Sequence, residues 1–202
     1  MQRLLLITLS ALLATALVAL PQTAAADTFK VDAAHTNVGF KVRHLGVSWV
    51  RGQFSDVKGT VQWDPASPAE MSMSIEIGVK SIDTSNKTRD THLKSPDFFN
   101  ASKFPKMVFQ SKSSKAVDGG LEVTGDLTIR DVTREVVLAV EGPTEQVKDP
   151  YLGPKRGASA TVRINRKDYG LKWGKITEAG SIVVGDEIRI EIETELLVKK
   201  GK

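Results

Sequence analysis

The sequence predicts an all-β domain, an antiparallel barrel of about eight strands, and three observations predict it. Apolar and polar residues alternate with a period of two in one strand-length segment after another. The segments are joined mostly by short polar connections such as "DGG" at 118–120, and no long amphipathic helix interrupts them.

The first 26 residues stand apart from this pattern. Arg3 precedes the apolar run "LLLITLSALLATALVAL", then comes Pro21, and Ala24 and Ala26 occupy the small-residue positions of a cleavage site before Asp27. A secretory signal peptide over 1–26 is expected. Thr8, Ser10, Thr15 and the abrupt Ala-rich end favour cleavage over retention as a membrane anchor. The chain contains no cysteine, so neither a lipid-modified N-terminus nor a disulfide can form, and thiol chemistry is excluded. Cleavage leaves one domain, 27–202, long enough to bury a substantial core, with no stable membrane anchor.

From Asp27 onward the alternation defines the strands. Val38, Phe40 and Val42 alternate with Asn37, Lys41 and Arg43. Val57, Gly59, Val61 and Trp63 follow, then Met71, Met73, Ile75, Ile77 and Val79, then Leu121, Val123, Leu127 and Ile129. Val136, Leu138 and Val140 continue the series, as do Ala158, Ala160, Val162 and Ile164. The last segment is the clearest, with Ile188, Ile190, Ile192, Leu196 and Val198 set against charged neighbours. Phe40, Val42, Ile75, Ile77, Leu138 and Ile190 are assigned to the inner face. One stretch, Ser85–Leu93, has modest helical character, and a short helical segment is expected near 85–100. A sandwich gives the same alternation as a barrel. Closure is favoured because it removes exposed edges and because the last strand is too long for a compact sandwich.

Small residues on the dry face, Gly59, Gly125, Ala158 and Ala160, have two readings. They leave room for a ligand, or they accommodate neighbouring Phe, Trp and Met side chains. The whole chain carries a net charge of +4, and loss of Arg3 with the leader reduces it to +3; the charges are interspersed, which argues against nucleic acid as a partner.

The chemistry available is sparse. The three histidines, His35, His44 and His92, are far apart in sequence, so no metal site and no cofactor is expected. There is no nucleophile elbow and no phosphate-binding glycine loop; Asp83, Asp90 and Asp97 either supply paired carboxylates for general acid and base work or make turns and helix caps, and as nothing specifies a reaction the chain is not expected to be an enzyme. What the sequence does offer is an apolar interior with a few polar groups suited to a cavity mouth, namely His44, Arg51, Arg89 and His92. Phe98 and Phe99 would cap the cavity or plug the barrel end.

Four strings in order, "DAAHTNVGFKVRHLGVSWVRGQFSDVKGTV", "SIDTSNKTRDTHLKSPDFFNASKFPKMVFQS", "VTGDLTIRDVTREVVL" and "INRKDYGL", resemble the YceI-like family over nearly the whole chain after the leader. The segment "RDTHLKSPDFF" with Phe104, Pro105 and Phe109 is the most specific part. One departure is Asp131, in a turn where the family usually carries glycine. The resemblance implies an extended lipocalin-like barrel in the periplasm whose lumen binds a polyisoprenoid or other long-chain apolar lipid, without catalysis. An enzyme acting on an isoprenoid in the same cavity and a filled-barrel stress-related interaction protein are the alternatives. The expected ligand-binding residues are Phe40, Val42, His44, Arg51, Ile75, Ile77, Arg89, His92, Phe98, Phe99 and Phe109, and a homodimer is left open.

Overall fold

The computed structural model describes residues 26–178, 180 and 182–199. The expected signal peptide lies outside the described residues except for Ala26 at its end. The strands are β1 (Asp27–Val31), β2 (Asn37–His44), β3 (Ser48–Phe54), β4 (Val57–Trp63), β5 (Ser72–Gly78), β6 (Ile82–Asp83), β7 (Lys106–Val117), β8 (Gly120–Ile129), β9 (Val132–Glu141), β10 (Val147–Asp149), β11 (Gly153–Asn165) and β12 (Val184–Val198). Among the described residues a single α-helix, the short α1 (Lys87–Lys94), lies between β6 and β7.

The sheet closes. Eight strands follow one another in the order β11-β9-β8-β7-β5-β4-β1-β12, and β12 then pairs with β11 from Lys155↔Leu197 to Asn165↔Glu187. Every pairing among the described strands is antiparallel, so the fold is the eight-stranded barrel, the closed form favoured above over a sandwich. The long β12 is the reason closure works. One edge lies along β11, while the other is shared, Leu196–Val198 pairing with β1 and Ile188–Glu193 with β2. β1 and β2 thus act as one strand broken by a 3-10 turn at Ala33–His35, where Asp32 caps the turn by accepting from the Ala34 amide.

Beyond that break β2, β3 and β6 continue as a flap, and β6 ends the sheet without reaching β7. The chain between them, α1 and the turns of 95–105, covers the gap. Asn86 starts α1 by accepting from the Arg89 amide at 3.0 Å, and the helix stops at Ser95 because Pro96 follows. None of its residues is fully buried. It is held by side-chain bonds rather than by a core-facing stripe, which is why its helical signal in the sequence is weak.

In the two-residue turn between β8 and β9 the left-handed backbone falls on Arg130, at φ 59°, and not on Asp131. Arg130 is fixed there by donating from Nη1 to the carbonyls of Phe98 and Gly170, both at 3.2 Å.

Candidate ligand cavity

The barrel interior is packed near its ends and open between them. Phe29, Val61, Leu121 and Val123 are buried towards one end, and Phe54, Val57, Ile82, Phe98, Tyr169 and Leu171 towards the other. Between them lies a cavity of about 210 Å³. One water needs only about 10–15 Å³. Inward side chains of β11 and β12, including Ala160, Val162, Ile164, Ile190 and Ile192, are only half-buried, since what they face is open space.

The wall is almost wholly apolar. The six residues assigned inward from the alternation, Phe40, Val42, Ile75, Ile77, Leu138 and Ile190, all line it. The small residues divide between the two readings given above. Ala158 and Ala160 border the cavity. Gly125 and Gly59 instead yield their space to neighbours, because a Cβ there would collide with the Phe109 ring and with Ile75 respectively.

Of the eleven expected ligand-binding residues, Phe40, Val42, Ile75, Ile77, Phe98, Phe99 and Phe109 are brought together on the cavity wall. The structure does not bring the four polar ones to it. Arg51 alternates with Val50 and Gly52 and therefore stands on the outer face, opposite Lys41. His44 lies one inward step past Val42, at the end of β2, half-buried and outside the lining. Arg89 donates from Nε to the Thr84 hydroxyl at 2.8 Å and from Nη2 to the Thr84 carbonyl at 2.7 Å. Its neighbour Asp90 accepts from the amide and hydroxyl of the same Thr84, at 2.9 and 2.5 Å. His92 pairs through Nε2 with Asp97 at 2.9 Å and packs edge-on against Phe98 and Trp173. Segment 89–100 is thus a plug with two sides. Leu93, Phe98 and Phe99 form the cavity's end wall, while Arg89, Asp90 and His92 fasten it from outside. Asp83, Asp90 and Asp97 act as turn and anchor residues, Asp83 accepting from the Ser85 amide.

Two polar residues at the same end carried no strand signal and were not singled out from the sequence, although both stand in the "INRKDYGL" string. Arg166 is buried, and its guanidinium donates to the carbonyls of Gly185, Leu171, Trp173 and Val184 and to Asp186. Burial lowers its pKa, opposed by the Asp186 charge. It ties segment 171–173 to the start of β12 and closes the barrel end. Tyr169 is buried with no hydrogen-bond partner for its hydroxyl among the described residues, and burial pushes its pKa up to about 12.

Among the described residues one group has metal-ligand character: Asp32, His35 and Glu195. His35 Nδ1 bonds Asp32 at 2.8 Å, which holds the Asp32 carboxyl below its usual range. The cation of this cluster is already supplied by Lys155, whose Nζ lies 2.7 Å from Glu195 and 2.9 Å from Asp149. Its place is at the strand ends, away from the cavity end that segment 89–100 closes.

Comparison with known proteins matches the chain to a family model described as a YceI-like domain over residues 29–196. A UPF0312 protein of Photorhabdus laumondii is 39% identical over 167 residues, covering 82% of this chain and 86% of that protein. The crystal structure of a Campylobacter jejuni YCEI protein is 36% identical with a TM-score of 0.65, covering 84% of this chain and 96% of that one. A structure described as a polyisoprenoid binding domain from Saccharophagus degradans superposes with a TM-score of 0.60 over 85% of this chain and 98% of that one. Its identity is 13%, so the likeness is one of fold.

Proposed function

We propose a lipid-binding role from one premise: the chain belongs to the YceI-like family. In this reading the barrel holds a polyisoprenoid or similar long apolar chain as a non-catalytic carrier or store. The protein is exported, loses its signal peptide after Ala26 and works in the periplasm as one domain, 27–202. The polyisoprenoid-binding description of the S. degradans neighbour supports the ligand class.

The observation that carries the reading is the near absence of polar atoms on the wall of a 210 Å³ cavity. An apolar chain gives up no hydrogen bond by entering it, whereas a charged or hydrogen-bonding group would be stripped of water with little compensation. Each buried methylene contributes about 0.8 kcal/mol, so ten supply roughly 8 kcal/mol, the scale of micromolar binding before the cost of ordering the chain is met. Affinity must then come from length, and a polar end group must stay near the rim. Nothing on the wall favours chemistry. Tyr169, its pKa pushed up to about 12 chiefly by burial and further by the Asp168 charge, keeps its proton at neutral pH, and its hydroxyl has no hydrogen-bond partner among the described residues to take that proton.

The test is to titrate delipidated protein with a bare isoprenoid hydrocarbon and with the same chain ended by an alcohol, at several lengths. The proposal expects saturable one-to-one binding that tightens with length, with both compounds recovered unchanged. A chemically altered product would reassign the protein as an enzyme, and no saturable binding at any length would end the proposal.

A further inference from the structure

The outer wall of the barrel carries a feature that lipid storage does not use. Four cations stand in register across four adjacent strands: Arg163 on β11 opposite Arg189 on β12, Arg189 opposite Lys41 on β2, and Lys41 opposite Arg51 on β3. Like charges placed directly opposite one another on a sheet destabilise it. Two carboxylates from β12 offset part of this, Glu187 bonding Arg189 at 2.8 Å and Glu191 bonding Lys41. Arg163, Arg51 and the nearby Arg43 form no direct ion pair among the described residues and all three are exposed, although the charges of Glu187 and Glu191 also act on Arg163 and Arg51 respectively.

Beside the row stands Trp49, half-buried on the same outer face, with the guanidinium carbons of Arg43 and Arg189 4.2 and 4.8 Å from its ring centre and Lys41 Nζ at 5.9 Å. Two residues further on, the turn between β2 and β3 ends the face in Val47, 80% exposed. The Leu45 amide of that turn bonds the Val183 carbonyl, which brings the turn beside the bridge between Ile176 and Ile182, both of them exposed.

From this arrangement we propose that the β2–β3 hairpin and its neighbours dock the protein peripherally on an anionic bilayer surface. Val47, Ile176 and Ile182 enter the interface, Trp49 sits among the headgroups, and the cation row meets lipid phosphates. Along β3, at about 3.3 Å per residue, Trp49 lies about 7 Å and Arg51 about 13 Å behind Val47. That order of apolar tip, indole and cation is the order in which a bilayer presents acyl chains, interface and surface charge. A second copy of the chain is disfavoured as occupant, because it would set cation row against cation row. A soluble polyanion would satisfy the charges yet leave the three exposed aliphatic side chains in water. This is surface docking, separate from any span: no helix among the described residues is long and apolar enough to cross a membrane.

Sedimentation with vesicles tests it, using the chain from Asp27 onward, which contains every described strand. Vesicles of phosphatidylglycerol and phosphatidylethanolamine in equal parts are compared with vesicles of phosphatidylcholine alone. The chain should bind the former, weaken with added salt, and ignore the latter. Arg51→Glu with Arg163→Glu, at exposed positions without ion pairs, should lower partitioning about tenfold or more while leaving circular dichroism and cavity-ligand binding unchanged. Val47→Ser should weaken partitioning without changing its salt dependence. Lys87→Glu with Lys148→Glu makes the same charge change elsewhere and should have little effect. Equal losses in the two charge-reversed variants, no binding to anionic vesicles, or binding only to heparin would each overturn the proposal. The heparin result would assign the face to a soluble polyanion. Since ligand binding in the cavity is read separately, a failure here leaves the lipid-carrier proposal untouched.

Discussion

Phe99 meets Phe54 edge-on, with ring centroids 5.7 Å apart and planes at 90°, and Phe54 in turn lies 5.6 Å from Phe40. This chain of rings joins the loop that closes the cavity to the inner face of β3 and β2. Phe99→Ala should therefore weaken binding of a bare hydrocarbon and of a headgroup-bearing chain by similar factors, because it removes apolar wall without regard to the headgroup. As the ring is only half-buried, the stability loss should be about 2 kcal/mol, below the range for a fully buried Phe. Paired titrations and a denaturant melt check both parts.

Arg89 and Asp90 grip Thr84 from its carbonyl, hydroxyl and amide, and neither residue reaches the cavity. Arg89→Ala and Asp90→Ala should each cost roughly 1.5–3 kcal/mol, the scale for hydrogen bonds to charged groups, since Thr84 is buried and would lose its partners. Affinity for the two ligand types should fall alike. A selective loss for the headgroup-bearing chain would instead place Arg89 at the ligand's polar end.

Ile77 and Ile190 both point inward, yet their surroundings differ. Ile77 is 7% exposed and packed, whereas Ile190 is half-buried against the cavity. Ile77→Ala should cost about 2–5 kcal/mol, and Ile190→Ala clearly less in the unliganded protein because fewer contacts are lost there. Adding ligand should narrow the difference. Urea midpoints with and without a bound isoprenoid measure it.

Acid stability should depend on Asp149. Its carboxylate accepts from the amides of Leu152 and Tyr151 and pairs with Lys155, which holds its pKa at about 2 against an ordinary value of 3.8. A depressed folded-state pKa means that the contribution is complete above about 3.8 and disappears as the pH falls through about 2. Asp32, lowered chiefly by its bond to His35, acts in the same direction. Asp149→Asn should flatten the fall in melting temperature across that window while leaving its slope near neutral pH unchanged.

The barrel and its inner face were legible because period-two alternation is a local property. Once Ile190 and Phe40 are in phase, closure follows from the length of β12. Phe98 and Phe99 were legible as a cap or plug of the barrel end through their apolarity. The polar residues were not, because whether Arg89 meets a ligand or Thr84 depends on which way α1 is fastened, and that is fixed by bonds to Thr84 rather than by periodicity. Arg51 is different. Its outward position was present in the alternation with Val50 and Gly52, and phase alone would have placed it on the outer wall. Arg166 and Tyr169 lie in a 3-10 turn, where neither strand nor helix spacing marks a buried side chain.

Whether this open apolar cavity holds a long lipid chain is decided by native mass spectrometry of the protein beside an Ala160→Phe variant. Ala160 borders the cavity in register with Ile192 and Val140, so a phenyl ring there enters the open space rather than packed core. One apolar molecule should be bound per wild-type chain, recoverable by solvent extraction and absent from a variant that still shows the wild-type circular dichroism. Wild-type protein that emerges empty, or a folded variant that keeps the same lipid at the same occupancy, would contradict it.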